Sequence, residues 1–129
     1  MRFLLRLVTG YIVFPIAWTA LIIFLLCIPG DDIPDTSSFL PPYFDKIVHF
    51  GLFAGFAFLW TAYFFLRSKE SSPKKFLIIF GILGLFLGIA LEFVQLYFIP
   101  NRSFDGIDII ADSAGVAFGA AFFYWWNKL

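Results

Sequence analysis

The stretch KFLIIFGILGLFLGIALEFVQLYFI, residues 75–99, decides the fold of this chain. It lies between the helix breakers Pro73 and Pro100, and after Lys75 its only charged residue is Glu92. About 20 apolar residues cross the ~30 Å hydrocarbon core of a bilayer, where only a helix satisfies its own backbone polar groups. The stretch is therefore predicted to be a membrane-spanning helix.

Three further apolar stretches of similar length lie around it. Of the 129 residues, 61% are hydrophobic and 14% are charged, whereas soluble domains are about 45 to 50% apolar and about 25% charged. The composition predicts a single-domain, all-α integral membrane protein, a bundle of four transmembrane helices. The predicted spans are residues 7–29, 46–66, 75–99 and 107–126.

The basic residues are distributed unevenly between the two ends of this predicted bundle. Seven lie on the side of the two termini and the middle loop, and only Lys46 and Arg102 lie opposite. Because cytoplasmic loops carry an excess of Lys and Arg, both termini are predicted to be cytoplasmic. Eight of the nine acidic residues belong to the other half, which is expected to face outward.

Small residues four positions apart recur in the last three spans, where they are expected to let helices approach closely. The pairs are Gly51 and Gly55, Gly84 and Gly88, and Gly115 and Gly119. Pro15 is expected to kink the first span. The single cysteine, Cys27, excludes an internal disulfide and is predicted to be a small core residue.

Most of the unusual polar residues are predicted to gather just below the outer surface. Glu92 lies about seven residues before the end of its span, roughly 10 Å below the boundary. A carboxylate at that depth is costly, so it should face the bundle and find a partner, with Arg102 as the nearest candidate cation and Lys46 and protonated His49 as the others. The predicted cluster comprises Asp45, Lys46, His49, Glu92, Gln95, Arg102, Asp105, Asp108 and Asp112.

Individual members of this cluster have different expected roles. Asp105 or Ser103 would cap the fourth span. Asp112 lies about two turns inside that span, where a carboxylate should be protonated or should hold Arg102, His49 or a bound cation. For His49 a proton carrier, a metal ligand and a polar strut between helices all remain open.

The sequence assigns no cofactor. The cluster offers oxygen and nitrogen ligands for Mg²⁺, Mn²⁺, Ca²⁺ or Zn²⁺, but it has no metal motif of established spacing. Nucleic acid is not an expected partner because basic residues are few and there is no phosphate-binding loop. Membrane lipid is the expected partner, since the basic end can meet anionic cytoplasmic headgroups.

Two segments, DKIVHFGLFAGFAFL (residues 45–59) and GIALEFVQLYFIPNRSFDGIDIIADSAGVAFG (residues 88–119), resemble the VanZ-like family of small bacterial membrane proteins. The resemblance covers about residues 11–125, and where the family commonly has Asn this chain has Asp112. It implies a bacterial cytoplasmic membrane protein, and the founding member is associated with teicoplanin resistance. The motif residues are Asp45, Lys46, His49, Phe50, Glu92, Gln95, Arg102, Asp105 and Asp108.

Three functions remain open at this point. In the first, the outer cluster binds an envelope lipid headgroup, a lipid-linked envelope precursor or a glycopeptide. Lys46 and Arg102 would hold an anionic group of that ligand. Proton-coupled transport is a variant of this hypothesis. A membrane-embedded enzyme would use Glu92, Asp108 and His49 for acid/base or metal-assisted chemistry on an envelope substrate. A structural subunit would act only beside a partner, and a homo-oligomer is also open.

Overall fold

The computed structural model describes residues 2–129, without the side chains of Arg2, Leu4 and Leu5. This part of the chain contains helices and loops and no β-strand, which confirms an all-α fold. The helices are α1 (Arg2–Thr9), α2 (Val13–Leu26), a short 3-10 helix (Gly30–Asp32), α3 (Phe44–Phe65), α4 (Lys74–Phe98) and α5 (Gly106–Lys128).

Three of these helices, α3, α4 and α5, are long and apolar enough to cross a membrane. Each agrees with a predicted span to within two residues at both ends. The breakers act as expected, since α4 begins directly after Pro73 and ends at Phe98, just before Pro100. α4 also turns a row of apolar side chains outward at Ile78, Ile82 and Phe86, as a lipid-facing helix does.

The predicted first span is not one helix. α1 ends at Thr9, residues 10–12 form a turn, and α2 begins at Val13. The 14 residues of α2 measure about 21 Å, less than the ~30 Å hydrocarbon core. At the turn, the Arg67 guanidinium donates to the Gly10 carbonyl and so gives a partner to a backbone group beyond the end of α1.

The interruption that we expected at Pro15 lies upstream of it. Pro15 is the third residue of α2, and the first N–H groups of a helix have no intrahelical acceptor. The backbone N–H that proline lacks would have no acceptor in the helix at this position, so Pro15 costs α2 no hydrogen bond.

α3 is the central helix, because it packs against α2, α4 and α5. It lies closest to α5, where Gly115 and Gly119 place no side chain between the two backbones. A Cβ at either glycine would collide with the carbonyl oxygen of Phe50 or Ala54. The other predicted packing glycines also face neighbouring side chains, with one exception: Gly51 is exposed and has no such neighbour within 4 Å, so its predicted packing role is wrong.

The apolar core lies between α2, α3, α4 and α5. Cys27 is a free thiol, half-buried against this core, as predicted. An apolar groove of about 740 Å³ lies between α3 and α4, with Trp60 and Phe64 of α3 in its lining, and it reaches α2 at Thr19. The buried core residues are Ile22, Leu26, Leu52, Phe53, Phe56, Ala57, Leu91 and Val116.

We call the end of the bundle formed by residues 27–49 and 92–112 the polar end; α2 and α4 end there, and α3 and α5 begin. Its two loops are joined, because the Gly30 N–H donates to the Pro100 carbonyl at 3.0 Å. Asn101 adopts the left-handed backbone conformation, with φ 56°. It lies so close to Gly30 that a Cβ on Gly30 would collide with the carbonyl oxygen of Asn101. The opposite end holds α1, the α3–α4 loop and the end of α5.

Candidate functional site

The polar end brings together the residues that the sequence predicted to cluster. They come from the start of α3, the last two turns of α4, the α4–α5 loop and the first two turns of α5. Because the helices are antiparallel, these segments meet at one level of the bundle. The contacts of Lys46, His49, Glu92 and Gln95 join them.

Lys46 is the central cation of the site. Its Nζ lies 2.7 Å from Asp45 Oδ2, 2.7 Å from Asp105 Oδ2 and 2.5 Å from Asp108 Oδ1. An ammonium group has three N–H donors, so all of them are engaged. Lys46 therefore joins α3 to α5 by neutralising carboxylates, and it presents no unpaired donor to a ligand.

His49 and Asp112 form a buried pair. His49 Nδ1 lies 2.8 Å from Asp112 Oδ1, and the two residues are 4% and 1% exposed. This contact confirms one of the partners expected for Asp112. His49 Nε2 lies 3.6 Å from Asp108 Oδ2, which is too long for a hydrogen bond.

Glu92 is 1% exposed, but its partner differs from the expected one. Its Oε2 accepts a hydrogen bond of 2.8 Å from the backbone N–H of Asp105. Arg102 forms no ion pair with Glu92 or with any other acid of the described chain. The loop residue that reaches Glu92 is therefore Asp105, through its main chain, and the expected Arg102–Glu92 pair is wrong.

Gln95 supports the site from α4. Its Nε2 donates to the Leu26 carbonyl at 2.7 Å, one of the last carbonyls of α2, which have no partner within their own helix. This buried hydrogen bond connects the ends of α2 and α4. Gln95 thus has a structural contact in addition to its place at the site.

Asp105 caps α5. Its Oδ1 accepts from the Ile107 N–H at 2.9 Å, so Asp105 takes the capping role that Ser103 was expected to contest. The hydrogen bond from Lys46, followed by that from Ile107, lowers the pKa of Asp105 from its ordinary value of 3.8. The carboxylate is charged where it meets the positive end of the α5 dipole.

An open pocket of about 360 Å³ lies at the polar end, and seven of the nine predicted site residues line it. Glu92 and Asp112 are the two that do not. A second pocket of about 510 Å³ adjoins the first, and the two share Ile33 and Asp45. The second pocket is more apolar, with Leu40 and Phe44 in its lining.

Residues 3–127 match the profile of the family described as VanZ/LLP1. The chain belongs to the VanZ/LLP1 family. Comparison with curated proteins and with solved structures finds no significant match. The VanZ-like resemblance read from the two quoted segments is confirmed, and the match covers nearly the whole chain.

Three residues of the predicted cluster could hold a metal ion. His49, Glu92 and Asp108 each offer one ligand atom, these atoms lie within 4.8 Å of one another, and all three residues are buried. The sequence analysis named the same three residues for acid/base or metal-assisted chemistry, although they come from three helices and have no metal motif of established spacing.

Pocket residues outside the VanZ-like motif were missed by the sequence analysis. Gly30, Ile33 and Asn101 line the pocket of about 360 Å³. Asn is one of the few residues that tolerate the left-handed conformation, which is a signal for a turn and not for a site. Gly30 follows Pro29, and a Pro-Gly pair is a signal for the end of a helix and not for a site.

Proposed function

We propose that this VanZ/LLP1-family protein crosses the bacterial cytoplasmic membrane four times and binds the polar head of an envelope lipid or lipid-linked precursor at its polar end, which faces outward. Residues 10–30 supply the fourth crossing. Gly10 is held by Arg67 near the α3–α4 loop, and Gly30 is held by Pro100 at the polar end. The orientation follows from the excess of basic residues at the opposite end.

The observation that carries this proposal is the pair of adjoining pockets. One is lined mainly by charged and polar groups, and its neighbour mixes Leu40, Phe44 and prolines with polar residues. A ligand with a polar head and an apolar stem fits this combination. Membrane lipids and lipid-linked precursors have that chemistry and reach the site from within the bilayer.

The charges of the site restrict the chemistry of the head. Because the donors of Lys46 are occupied, the role first expected for it, holding an anionic group together with Arg102, passes to Arg102 alone. Arg102 lines the pocket without an ion pair to any described residue, and guanidinium groups bind phosphate or carboxylate well. The surrounding carboxylates favour hydroxyl or ammonium groups on the same ligand.

Native mass spectrometry of the gently solubilised protein tests this proposal. The wild type should carry a lipid adduct, and Arg102→Ala should weaken its retention by about tenfold or more, as expected for loss of a charged hydrogen bond. Lys69→Ala is the matched control, because Lys69 is exposed at the opposite end. Equal adducts in all three proteins, or none in the wild type, would overturn the proposal and favour the structural subunit that acts beside a partner.

A link to teicoplanin response rests on the family resemblance alone. If it extends to this chain, expression in a susceptible host should raise teicoplanin tolerance, and Arg102→Ala at equal protein level should remove the increase. An unchanged response in the variant would separate the pocket from the phenotype.

A second candidate function, acid/base catalysis, is favoured by the His49–Asp112 pair. The Asp112 carboxylate holds one imidazole nitrogen of His49, and the other nitrogen has no hydrogen bond to any described residue, which is the arrangement of an oriented general base. Turnover of a labelled envelope lipid by the wild type, lost in a Glu92→Gln, Asp108→Asn double variant, would support an enzyme. Turnover that survives in the double variant would exclude these residues from catalysis.

A further inference from the structure

Three buried side chains from three different helices converge below the polar pocket. His49 of α3, Glu92 of α4 and Asp108 of α5 are 4%, 1% and 7% exposed. One ligand atom from each lies within 4.8 Å of the others. Small side-chain movements would bring these atoms onto one metal ion, because bonds of about 2.0 to 2.2 Å place two ligands of one ion no more than about 4.4 Å apart.

The polar atoms of this cluster are left partly unused by the protein. Within the described chain, Glu92 uses only Oε2 in a hydrogen bond, and His49 Nε2 has no partner closer than 3.6 Å. Asp112 Oδ2 is fully buried and has no hydrogen-bond partner in the same part of the chain. It faces α4 beside Gly88, one turn from Glu92. Buried polar atoms are normally satisfied, so the unpartnered Asp112 Oδ2 points to a missing group at this site, and the second Glu92 oxygen and His49 Nε2 are available to bind it.

The negative charge of the cluster also exceeds the positive charge in contact with it. Glu92, Asp108 and Asp112 are three buried carboxylates, and the positive groups in contact with them are His49 and Lys46. Lys46 is shared with two further aspartates nearer the surface. Unpaired carboxylates at membrane depth are costly, and a divalent cation supplies the charge that the side chains lack.

We infer that His49, Glu92 and Asp108 bind one divalent metal ion, with Asp112 as the carboxylate that orients the histidine. An imidazole with two carboxylates suits first-row ions, Mn²⁺ and Zn²⁺ foremost, because it combines a nitrogen ligand with oxygen ligands. Metal-bound histidines commonly donate their other ring N–H to a carboxylate, which is the geometry of the His49–Asp112 contact. This inference goes beyond the proposed lipid binding and does not depend on it.

His49 is the only histidine, so every histidine ¹⁵N signal in an NMR spectrum of the protein comes from this site. The protein, free of any polyhistidine tag, is labelled with ¹⁵N-histidine, placed in lipid nanodiscs, treated with a chelator and titrated with Zn²⁺. We expect the Nε2 resonance to shift and to saturate at one zinc per chain, while Nδ1 keeps its proton toward Asp112. An Nε2 resonance that does not change on addition of Zn²⁺ would overturn the inference without any variant.

Variants identify the remaining ligands. Glu92→Gln and Asp108→Asn should each abolish the saturable shift, and Asp112→Asn should weaken Zn²⁺ binding by about 10- to 100-fold, as loss of an orienting carboxylate does. Asp32→Asn, an exposed acid at the same end, should bind like the wild type. Thermal melts identify variants that remain folded. A full shift in folded Glu92→Gln and Asp108→Asn proteins would overturn the assignment.

Discussion

At the scale of single residues, Lys46 holds the polar end together. It connects the start of α3 with the loop before α5 and with the first turn of α5, through Asp105 and Asp108. Its side chain is 18% exposed, so the ion pairs are stronger than surface pairs and weaker than fully buried ones. Removing the ammonium leaves several carboxylates facing one another.

We therefore expect Lys46→Met to lower the free energy of unfolding by about 2 to 4 kcal/mol. Adding Asp108→Asn to this variant should recover part of the loss, because one unpaired charge is removed. Denaturant titration in detergent measures both effects, and Lys69→Met at the opposite end is the control. A loss no larger than that of Lys69→Met would contradict the central role of Lys46.

Asp105 gives a prediction that depends on pH. Its folded pKa is lowered by Lys46 and by the Ile107 N–H, so its contribution to stability is complete above its ordinary value of 3.8 and is lost as the pH falls through the lower folded value. Asp105→Ala should cost about 1 kcal/mol through loss of the cap. Asp105→Asn should cost less near neutral pH, because Asn also caps helices, and should flatten the loss of stability in acid.

Thermal melts of these two variants and the wild type between neutral pH and pH 2 provide the measurement. Identical acid profiles for the wild type and Asp105→Asn would show that the Lys46–Asp105 pair does not contribute to stability.

The sequence located the site but assigned some of its contacts incorrectly. The positions of Glu92, Asp108 and Asp112 along the predicted spans placed them at one end of the bundle, and the His49–Asp112 pair was among the expected partners. Arg102 was expected to meet Glu92 because of its sign and proximity along the chain. A loop does not have a fixed periodicity, so the direction of its side chains could not be derived from spacing.

At the scale of helices, the α3–α5 contact depends on two glycines. Because a Cβ at Gly119 would collide with the carbonyl of Ala54, Gly119→Ala must push the two helices apart. Overpacking of this kind costs about 1 to 3 kcal/mol. Gly51→Ala is the matched control on α3, since its Cβ would meet nothing nearby; equal melting temperatures for the two variants would contradict this packing.

Helix boundaries were predicted well where prolines mark them, as at both ends of α4. The break between α1 and α2 was not predicted, because the stretch from residue 7 to residue 28 is mostly apolar and carries no charge, and so resembles a single span. At the break, Arg67 donates to the Gly10 carbonyl, a contact between residues 57 positions apart in the sequence. No local pattern reports such a contact.

At the scale of the whole molecule, the proposed orientation can be tested with single cysteines. In a Cys27→Ser background, which removes the only native thiol, Ser37→Cys lies in the loop of the polar end and Ser71→Cys in the α3–α4 loop. A membrane-impermeant maleimide added to intact cells should label Ser37→Cys only. Labelling of Ser71→Cys alone would reverse the orientation, and labelling of both would exclude this topology.

The attachment of α2 differs between its two ends. At the polar end it is tied to α4 through the Gln95–Leu26 hydrogen bond and to the loop after α4 through Gly30 and Pro100. At the other end it is held to α3, by the Arg67–Gly10 hydrogen bond and by the Trp60–Thr19 hydrogen bond. The apolar groove between α3 and α4, which Thr19 helps to line, therefore lies beside a helix fixed at both ends, so the width of the groove is set by these contacts.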